Sequence, residues 1–437
     1  MAQTCQRRWG HVRRQSTTEL HLTVFYRAFE WIVRCGHPCI PYSNEIATRP
    51  KSPKSAEISL PDGVLTRDAH AVVADPSIDL IVEVIGGIEP ARELISTAIA
   101  NGKPVVTANK ELLANVGHEL WAQSDAAGVD LLFEAAVAGG IPLIRALRES
   151  LRGEPITRVM GIVNGTTNFI LTKMTEEGAD YSAALSEAQR LGFAERDPTA
   201  DVEGFDAGAK AAIIASIAFG ARIVAGDVYH EGISGITAAD IAIAKRLGYV
   251  VKLLAIAEQE NQSDPVAVRV HPAMVPVAHP LASVRDSYNA VFVEGDAVGS
   301  LMFYGRGAGQ DPTSSSVLAD LAEAAAFLEA PRACIGFTSH DLYGQCKPID
   351  QTLSKYYLRL GVEDRPGVLA QIAGTLAKAD IGILSVIQPE GLVDGAVPLI
   401  LTLHDAPYGP MKKTADELAS LPCVKGTPLL LHMESFS

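Results

Sequence analysis

The chain has 437 residues, 48% of them hydrophobic, and 51 acidic against 37 basic side chains give a formal charge of −14. That length holds two or three domains with ample core, and the acidic balance argues against nucleic acid or an anionic membrane as the main partner, since both demand a basic face. No apolar run is long enough to span a membrane, and even Ala207 to Gly226 carries Lys210 and Arg222. Six cysteines without a regular framework fit a soluble protein of a reducing cytoplasm.

Residues 1–55 differ from everything after them. They hold Cys5, Cys35, Cys39, Trp9, Trp31 and seven arginines before the first lysine, Lys51, against only Glu19, Glu30 and Glu45. An Arg-rich, acid-poor start has the composition of a transit peptide, but the cluster Phe25, Tyr26, Phe29 and Trp31 fits that poorly. Cys35, His37 and Cys39 lack the companion pair that a four-ligand zinc site requires.

From about Ala56 the pattern becomes regular: a strand at 78–87, a helix at 90–100, a strand at 104–108, a helix at 111–127 and a strand at 131–136. Alternation at this spacing predicts a parallel sheet with right-handed crossovers, the second half of a doubly wound α/β domain of Rossmann type. Ligands in such sheets lie beyond the strand carboxyl ends. Those ends are Ile85-Gly86-Gly87, Thr107 to Lys110 and Glu134 to Ile141. A dinucleotide domain opens on a strand and a G-x-G-x-x-G turn, where glycine lets backbone amides approach a pyrophosphate. Between Met1 and Lys51 the only glycines are Gly10 and Gly36, so the turn is absent and the first half reads as incomplete. Segment 1–55 is therefore expected to be disordered or poorly folded, a wrong reading frame or unrelated start fused to a regular chain.

Farther on, a strand at 157–165 is followed by Thr166, Thr167 and Asn168, which open a helix with small polar groups and free amides suited to a substrate carboxylate. A helix at 181–191 leads into Ala188 to Lys210, where Glu195, Asp197, Asp201, Glu203 and Asp206 precede Lys210. Pro198, with Gly192 and Gly204, predicts an ordered loop rather than a helix. A helix from about Gly204 to Gly220 then sets Asp206 and Lys210 on one face, and its Ala and Ile content predicts burial. An exposed Asp/Lys pair behind an acidic surface loop is the plainer alternative.

Strand-like segments at 249–257, 267–274 and 289–295 suggest an open sheet, and Arg306 to Gln310 is a glycine-rich turn before a helix. Residues 331–354 read as a linker. From Lys355, strands at 356–362, 383–388, 397–404 and 424–433 with helices at 368–379 and 411–421 give βαββαβ, the ferredoxin-like order.

Taken together, Ala188, Gly192, Phe193, Asp197-Pro198, Asp201-Val202, Gly204, Asp206 and Lys210 resemble the signature segment of homoserine dehydrogenases with every spacing kept. TANKELL around Lys110 resembles the same family, and AAVAGGIP after Glu134 resembles its monovalent-cation loop. Asp364-Arg365-Pro366-Gly367 before a helix resembles an ACT domain, a small amino-acid-sensing module.

The resemblance covers roughly residues 56–437. It implies a nucleotide-binding domain at 56–140 and 306–335, an α+β substrate and dimerisation domain at 141–305, and an ACT regulatory domain at 355–437. It further implies NADP or NAD near Ile85, Gly86, Gly87, Thr107, Lys110 and Gly307. Lys210 would be the proton donor with Lys110 beside it. Glu195, Asp201, Gly165 and Thr166 would surround the substrate, with Asp206 orienting Lys210. Sodium would be held by Glu134 and the carbonyls of Val137, Gly139 and Ile141.

The implied reaction interconverts L-homoserine and L-aspartate 4-semialdehyde, toward threonine, methionine and isoleucine. A threonine effector at Asp364 and Gly367 and a homo-oligomer, dimer or tetramer, are implied as well. Two other readings stay open on the residues alone. One is a non-catalytic amino-acid-binding protein that lost its cofactor through the altered amino end. The other is a reductase of a different semialdehyde-like substrate.

Overall fold

A computed structural model describes residues 22–24, 43–47, 65–261, 264–329, 346–389 and 395–434. The first sheet contains β1 (Leu22–Val24), β2 (Ser43–Ala47), β3 (Leu65–Thr66), β4 (Leu80–Glu83), β5 (Val105–Thr107) and β6 (Leu131–Leu132). Their order is β3-β2-β1-β4-β5-β6 and every pairing is parallel. Strands of both halves of a doubly wound sheet are thus present where the first half was expected to be incomplete. Phe25 and its successors, where the glycine turn belongs, lie outside the described residues.

β4 and β5 are buried at every position because helices cover both faces of the sheet. The Ala91–Ala100 and Lys110–Ala127 helices pack Leu94, Ile95, Leu112 and Leu120 with Ile81 and Val105 on one side. On the other, the Gln310–Glu329 helix sets Val317, Leu321 and Ala324 against Leu80, Val82 and Val106. The expected strand at 131–136 shortens to β6 and passes into a 3-10 turn at Glu134–Ala136. The Glu134 amide leaves the ladder there to donate to Asp320 Oδ2 at 2.9 Å.

A second sheet is formed by β7 (Ile156–Ile162), β8 (Tyr229–His230), β9 (Tyr249–Glu258), β10 (Ala267–Pro276), β11 (Tyr288–Gly295), β12 (Gly299–Arg306), β13 (Leu353–Val362), β14 (Ile383–Ile387), β15 (Val397–Pro407) and β16 (Val424–Met433). It runs β12-β11-β7-β9-β10-β16-β13-β15-β14, with β8 also on β10. The last four strands keep the ferredoxin-like order, and the Val368–Lys378 and Tyr408–Ala419 helices share their core. From the sequence this module was expected to stand apart from the open sheet. Parallel pairing of Ala273 with His432 and Met274 with Met433 joins the two instead. β12 and the Ala238–Arg246 helix escape the sequence reading; β12 has no fully buried residue to give it a strong apolar pattern. Among the described residues, no helix is long and apolar enough to cross a membrane.

The junction also carries charge. Asp240 is fully buried and accepts from Arg359 Nε at 2.7 Å, the Tyr357 hydroxyl at 2.9 Å and the Thr237 hydroxyl at 2.6 Å. Removing the acid strands a guanidinium and a phenol that were both paired with it. Asp240→Ala is expected to lower the unfolding free energy by about 3 kcal/mol in denaturant titration, the lower end for a broken buried pair because Arg359 keeps some solvent contact. A loss of less than about 0.5 kcal/mol, the usual effect of a surface substitution, would show that the junction does not depend on it.

Candidate active site

The Phe205–Phe219 helix is bounded by Gly204 and Gly220, and its Ala and Ile side chains are buried as the composition requires. Asp206 and Lys210 are each 8% exposed. The Lys210 ammonium donates to the Val163 carbonyl at 2.8 Å and to Asp206 Oδ2 at 2.7 Å. From the opposite wall, Lys110 begins the Lys110–Ala127 helix behind its Asn109 cap and donates to Asp206 Oδ1. Burial pushes the Asp206 carboxyl up, but the two ammoniums outweigh it and hold the group well below the usual carboxylate range. The plainer alternative of an exposed Asp/Lys pair is excluded.

Lys110 and Lys210 line one cavity of about 320 Å³ beyond the carboxyl ends of β4, β5 and β6. Gly86, Gly87, Gly139 and Gly307 supply much of the remaining wall. A Cβ on Gly139, whose φ is +52°, would lie 2.4 Å from the Gly307 carbonyl oxygen. This backbone contact returns the chain to the nucleotide domain, and the Gly140 amide donates to the Arg306 carbonyl beside it.

Two residues predicted at the cofactor sit behind the wall. The Thr107 hydroxyl donates to Glu83 Oε2 at 2.7 Å, while Glu83 Oε1 accepts from the amides of Ile85 at 2.7 Å and Gly86 at 3.2 Å. The Asn109 side-chain amide then donates to the Gly87 carbonyl at 2.7 Å. Glu83 was not foreseen from the sequence, and Asn109 was foreseen only as part of the strand end Thr107 to Lys110. Glu83, the second acid of IDLIVEV and the one that follows its apolar run, was the available signal, since a buried carboxylate must have donors.

The acidic segment is more ordered than a loop. Thr199–Val202 forms a helical turn after Pro198, which occupies a helix-start position where no amide is needed. This turn brings the Asp201 carboxylate to the Asn164 side-chain amide at 2.7 Å. Burial pushes the Asp201 carboxyl up, opposed by the Asn164 hydrogen bond. Gly165 is fixed by close approach, because a Cβ there would lie 2.7 Å from the Ser287 carbonyl. The Thr166 hydroxyl is committed to the Phe193 carbonyl at 2.6 Å. Glu195 is exposed and does not line the cavity.

In the loop read as a cation site, the carboxylate and one carbonyl already accept protein donors. Both Glu134 carboxylate oxygens accept backbone amides, from Ile144 at 2.8 Å and Arg145 at 2.9 Å. The Gly139 carbonyl accepts from Ser316 at 2.7 Å. Burial, with Glu134 nearby, pushes Asp320 up to about 7. In the ferredoxin-like module, Asp364 is exposed and Gly367, at φ +90°, starts the Val368–Lys378 helix.

A parallel sheet with a crevice at its carboxyl ends, floored by glycines, is the layout of a nucleotide-binding α/β enzyme, and the family matches make it an NAD(P)-dependent oxidoreductase with an appended ACT module. Residues 142–322 match the homoserine dehydrogenase family, 43–134 the homoserine dehydrogenase NAD-binding domain and 356–389 the ACT domain. The chain is 47% identical to homoserine dehydrogenase of Corynebacterium glutamicum over 90% of its own length and 91% of the relative's. A homoserine dehydrogenase structure from Thiobacillus denitrificans superposes with TM-score 0.87 at 40% identity, covering 95% of this chain and 98% of that one. A hyperthermophilic archaeal homoserine dehydrogenase in complex with NADPH superposes with TM-score 0.60 at 27% identity, covering 72% and 99%. The chain belongs to the homoserine dehydrogenase family.

Asp206→Asn keeps the shape and removes the charge. A carboxyl depressed in the folded state stabilises above its unfolded value and loses that contribution as pH falls through the folded one. The stability difference between wild type and Asp206→Asn, from denaturant titration, is therefore expected to be full above about pH 4 and to shrink below it. A difference that stays constant down to about pH 2 would remove the two ion pairs from the account.

Proposed function

We propose that this chain catalyses the reversible oxidation of L-homoserine to L-aspartate 4-semialdehyde with NADP or NAD. The observation that carries this is the convergence of Lys110 and Lys210 on Asp206 at the cavity wall. The open backbone of Gly86, Gly87 and Gly307 fits the nicotinamide end of the cofactor, which supplies or accepts the hydride when bound.

In the reducing direction, a carbonyl carbon receives hydride and its oxygen becomes an alkoxide, which needs positive charge and a proton at that moment. The Lys210 ammonium gives the proton, and Lys110 stabilises the developing charge. Asp206 holds both amines at the reacting oxygen. In the oxidising direction, Lys210 takes the proton back. Asp201 holds the substrate's ammonium end, Glu195 joins it from the exposed acidic segment outside the cavity lining, and Gly165 and Thr166 shape the seat, Thr166 by fixing the Phe193 end of that segment.

The domains are assigned to residues 56–140 with 306–335, 141–305 and 355–437. L-homoserine, the product of the reducing direction, leads toward threonine, methionine and isoleucine in the cytoplasm, and a threonine effector meets the Asp364–Gly367 turn of a homo-oligomer. A sodium ion would rest on Glu134 and the main-chain carbonyls of Val137, Gly139 and Ile141, whose oxygens keep a second lone pair where they already accept an amide or a hydroxyl.

The test is homoserine-dependent reduction of NADP or NAD by the purified chain, followed by absorbance, with NADPH binding titrated separately. Turnover with tight NADPH binding supports the enzyme. Threonine binding without either would instead support an amino-acid sensor. Lys210→Ala is expected to lower kcat by roughly a thousandfold with homoserine binding partly retained. Unchanged turnover would remove Lys210 from proton transfer. Glu195→Ala should lower kcat/KM for homoserine by about a hundredfold, the loss of a charged hydrogen bond. Activity that survives the change would point to a different semialdehyde substrate.

A further inference from the structure

Asn164 lies between β7 and the Gly165–Glu177 helix, 4% exposed, and none of the roles assigned above uses it as more than a hydrogen-bond donor to Asp201. Its Nδ2 donates to Asp201 Oδ1 at 2.7 Å and to Asp206 Oδ2 at 2.9 Å. Its Oδ1 accepts from the Thr167 amide and the Thr167 hydroxyl, both at 2.9 Å. That capping contact fixes which way the amide faces, because an ionised carboxylate offers no proton and must meet the NH₂ side. The residue before it, Val163, gives its carbonyl to Lys210, and the residue after it, Gly165, is wedged against Ser287.

We propose that Asn164 is a positioning residue of the reaction, whose one amide group spaces Asp201 from Asp206 and aligns the carboxylate on which Lys110 and Lys210 converge. The proposal rests on the roles given above to Lys210, Asp206 and Asp201.

A half-buried carboxylate beside a buried one, as Asp201 is beside Asp206, is repelled by it and takes up a proton more readily unless donors lie between them. A lysine in the place of Asn164 would add a third cation, and a hydroxyl offers one proton where two are needed. A primary amide is the neutral group that donates twice and still accepts the helix amide behind it. The charged groups facing Asp201 are Asp206 and Lys210 from the Phe205–Phe219 helix. The Gly165–Glu177 helix adds the Thr166 hydroxyl, which lies close enough to Asp201 to hold its carboxyl down, although its 2.6 Å hydrogen bond goes to the Phe193 carbonyl. With the amide gone, Asp201 faces Asp206 without a shared donor and protonates at higher pH, and Asp206 Oδ2 is left to Lys210 alone.

The capping function and the spacing function separate by substitution. Asn164→Ser keeps a side-chain oxygen suited to a helix start but cannot span both carboxylates, whereas Asn164→Ala loses both. Kcat/KM for homoserine across pH, calorimetric homoserine affinity across pH and the melting temperature are measured for both variants and wild type. Both variants are expected to lose at least tenfold in kcat/KM and to move the acidic limb of the profile and of homoserine affinity to higher pH, with KM for NADP unchanged. Only Asn164→Ala should melt clearly lower. An Asn164→Ser enzyme with the wild-type profile and kcat/KM overturns the proposal and leaves Asn164 a helix cap. A wild-type chain that neither binds nor oxidises homoserine overturns the reading beneath it and the proposal together.

Discussion

One carboxylate carries the geometry of this site. Asp206 accepts Lys210 from its own helix and Lys110 from the nucleotide domain, so a single side chain ties two layers of the molecule across the cavity. An ammonium beside a buried helix is tolerable only with an acid at hand, and an acid buried among Ala and Ile only with cations. Each member makes the others possible. The helix start adds to this, because Asp206 stands in the first turn where the backbone dipole favours negative charge.

The supports around that carboxylate are polar groups satisfied by one another. Glu83 gathers the amides of Ile85 and Gly86 with the Thr107 hydroxyl, which sets the loop that floors the cavity. On the far side, Ile233 donates to the Val202 carbonyl at 2.8 Å, and Phe205 packs on His230 with ring centroids 4.3 Å apart. The same short strand reaches the ACT module, where the hydroxyls of Tyr229 and Tyr408 lie 2.6 Å apart and both bond Glu231. The acidic segment therefore leans on a strap whose other face is held by the carboxyl-terminal module. β16 reinforces this by pairing with β10, so one edge of the ACT sheet is covered by its own chain and β14 is left at the other end of the sheet.

Where periodicity was strong, elements were legible to within a residue or two. The helices Ala91–Ala100, Lys110–Ala127 and Phe205–Phe219 follow from apolar spacing and glycine or asparagine at their ends. Thr199–Val202 was hidden because four residues give no period to read. The amides that Glu134 accepts from Ile144 and Arg145 were not legible, because spacing does not tell which backbone groups a carboxylate will face. Thr166 and Thr107 stand where the substrate and cofactor were expected, yet their hydroxyls are turned to Phe193 and Glu83.

By itself, the sequence determined the α/β class, the ferredoxin-like tail, the face shared by Asp206 and Lys210 and the family signature, because helical and strand periods and turn residues act over a few neighbours. Only the tertiary structure decided that Lys110, 96 positions from Asp206, would share its carboxylate, that Asn164 would bridge two acids, and that β10 and β16 would become neighbours. Those meetings depend on how separate elements pack, and packing joins residues that no local spacing relates.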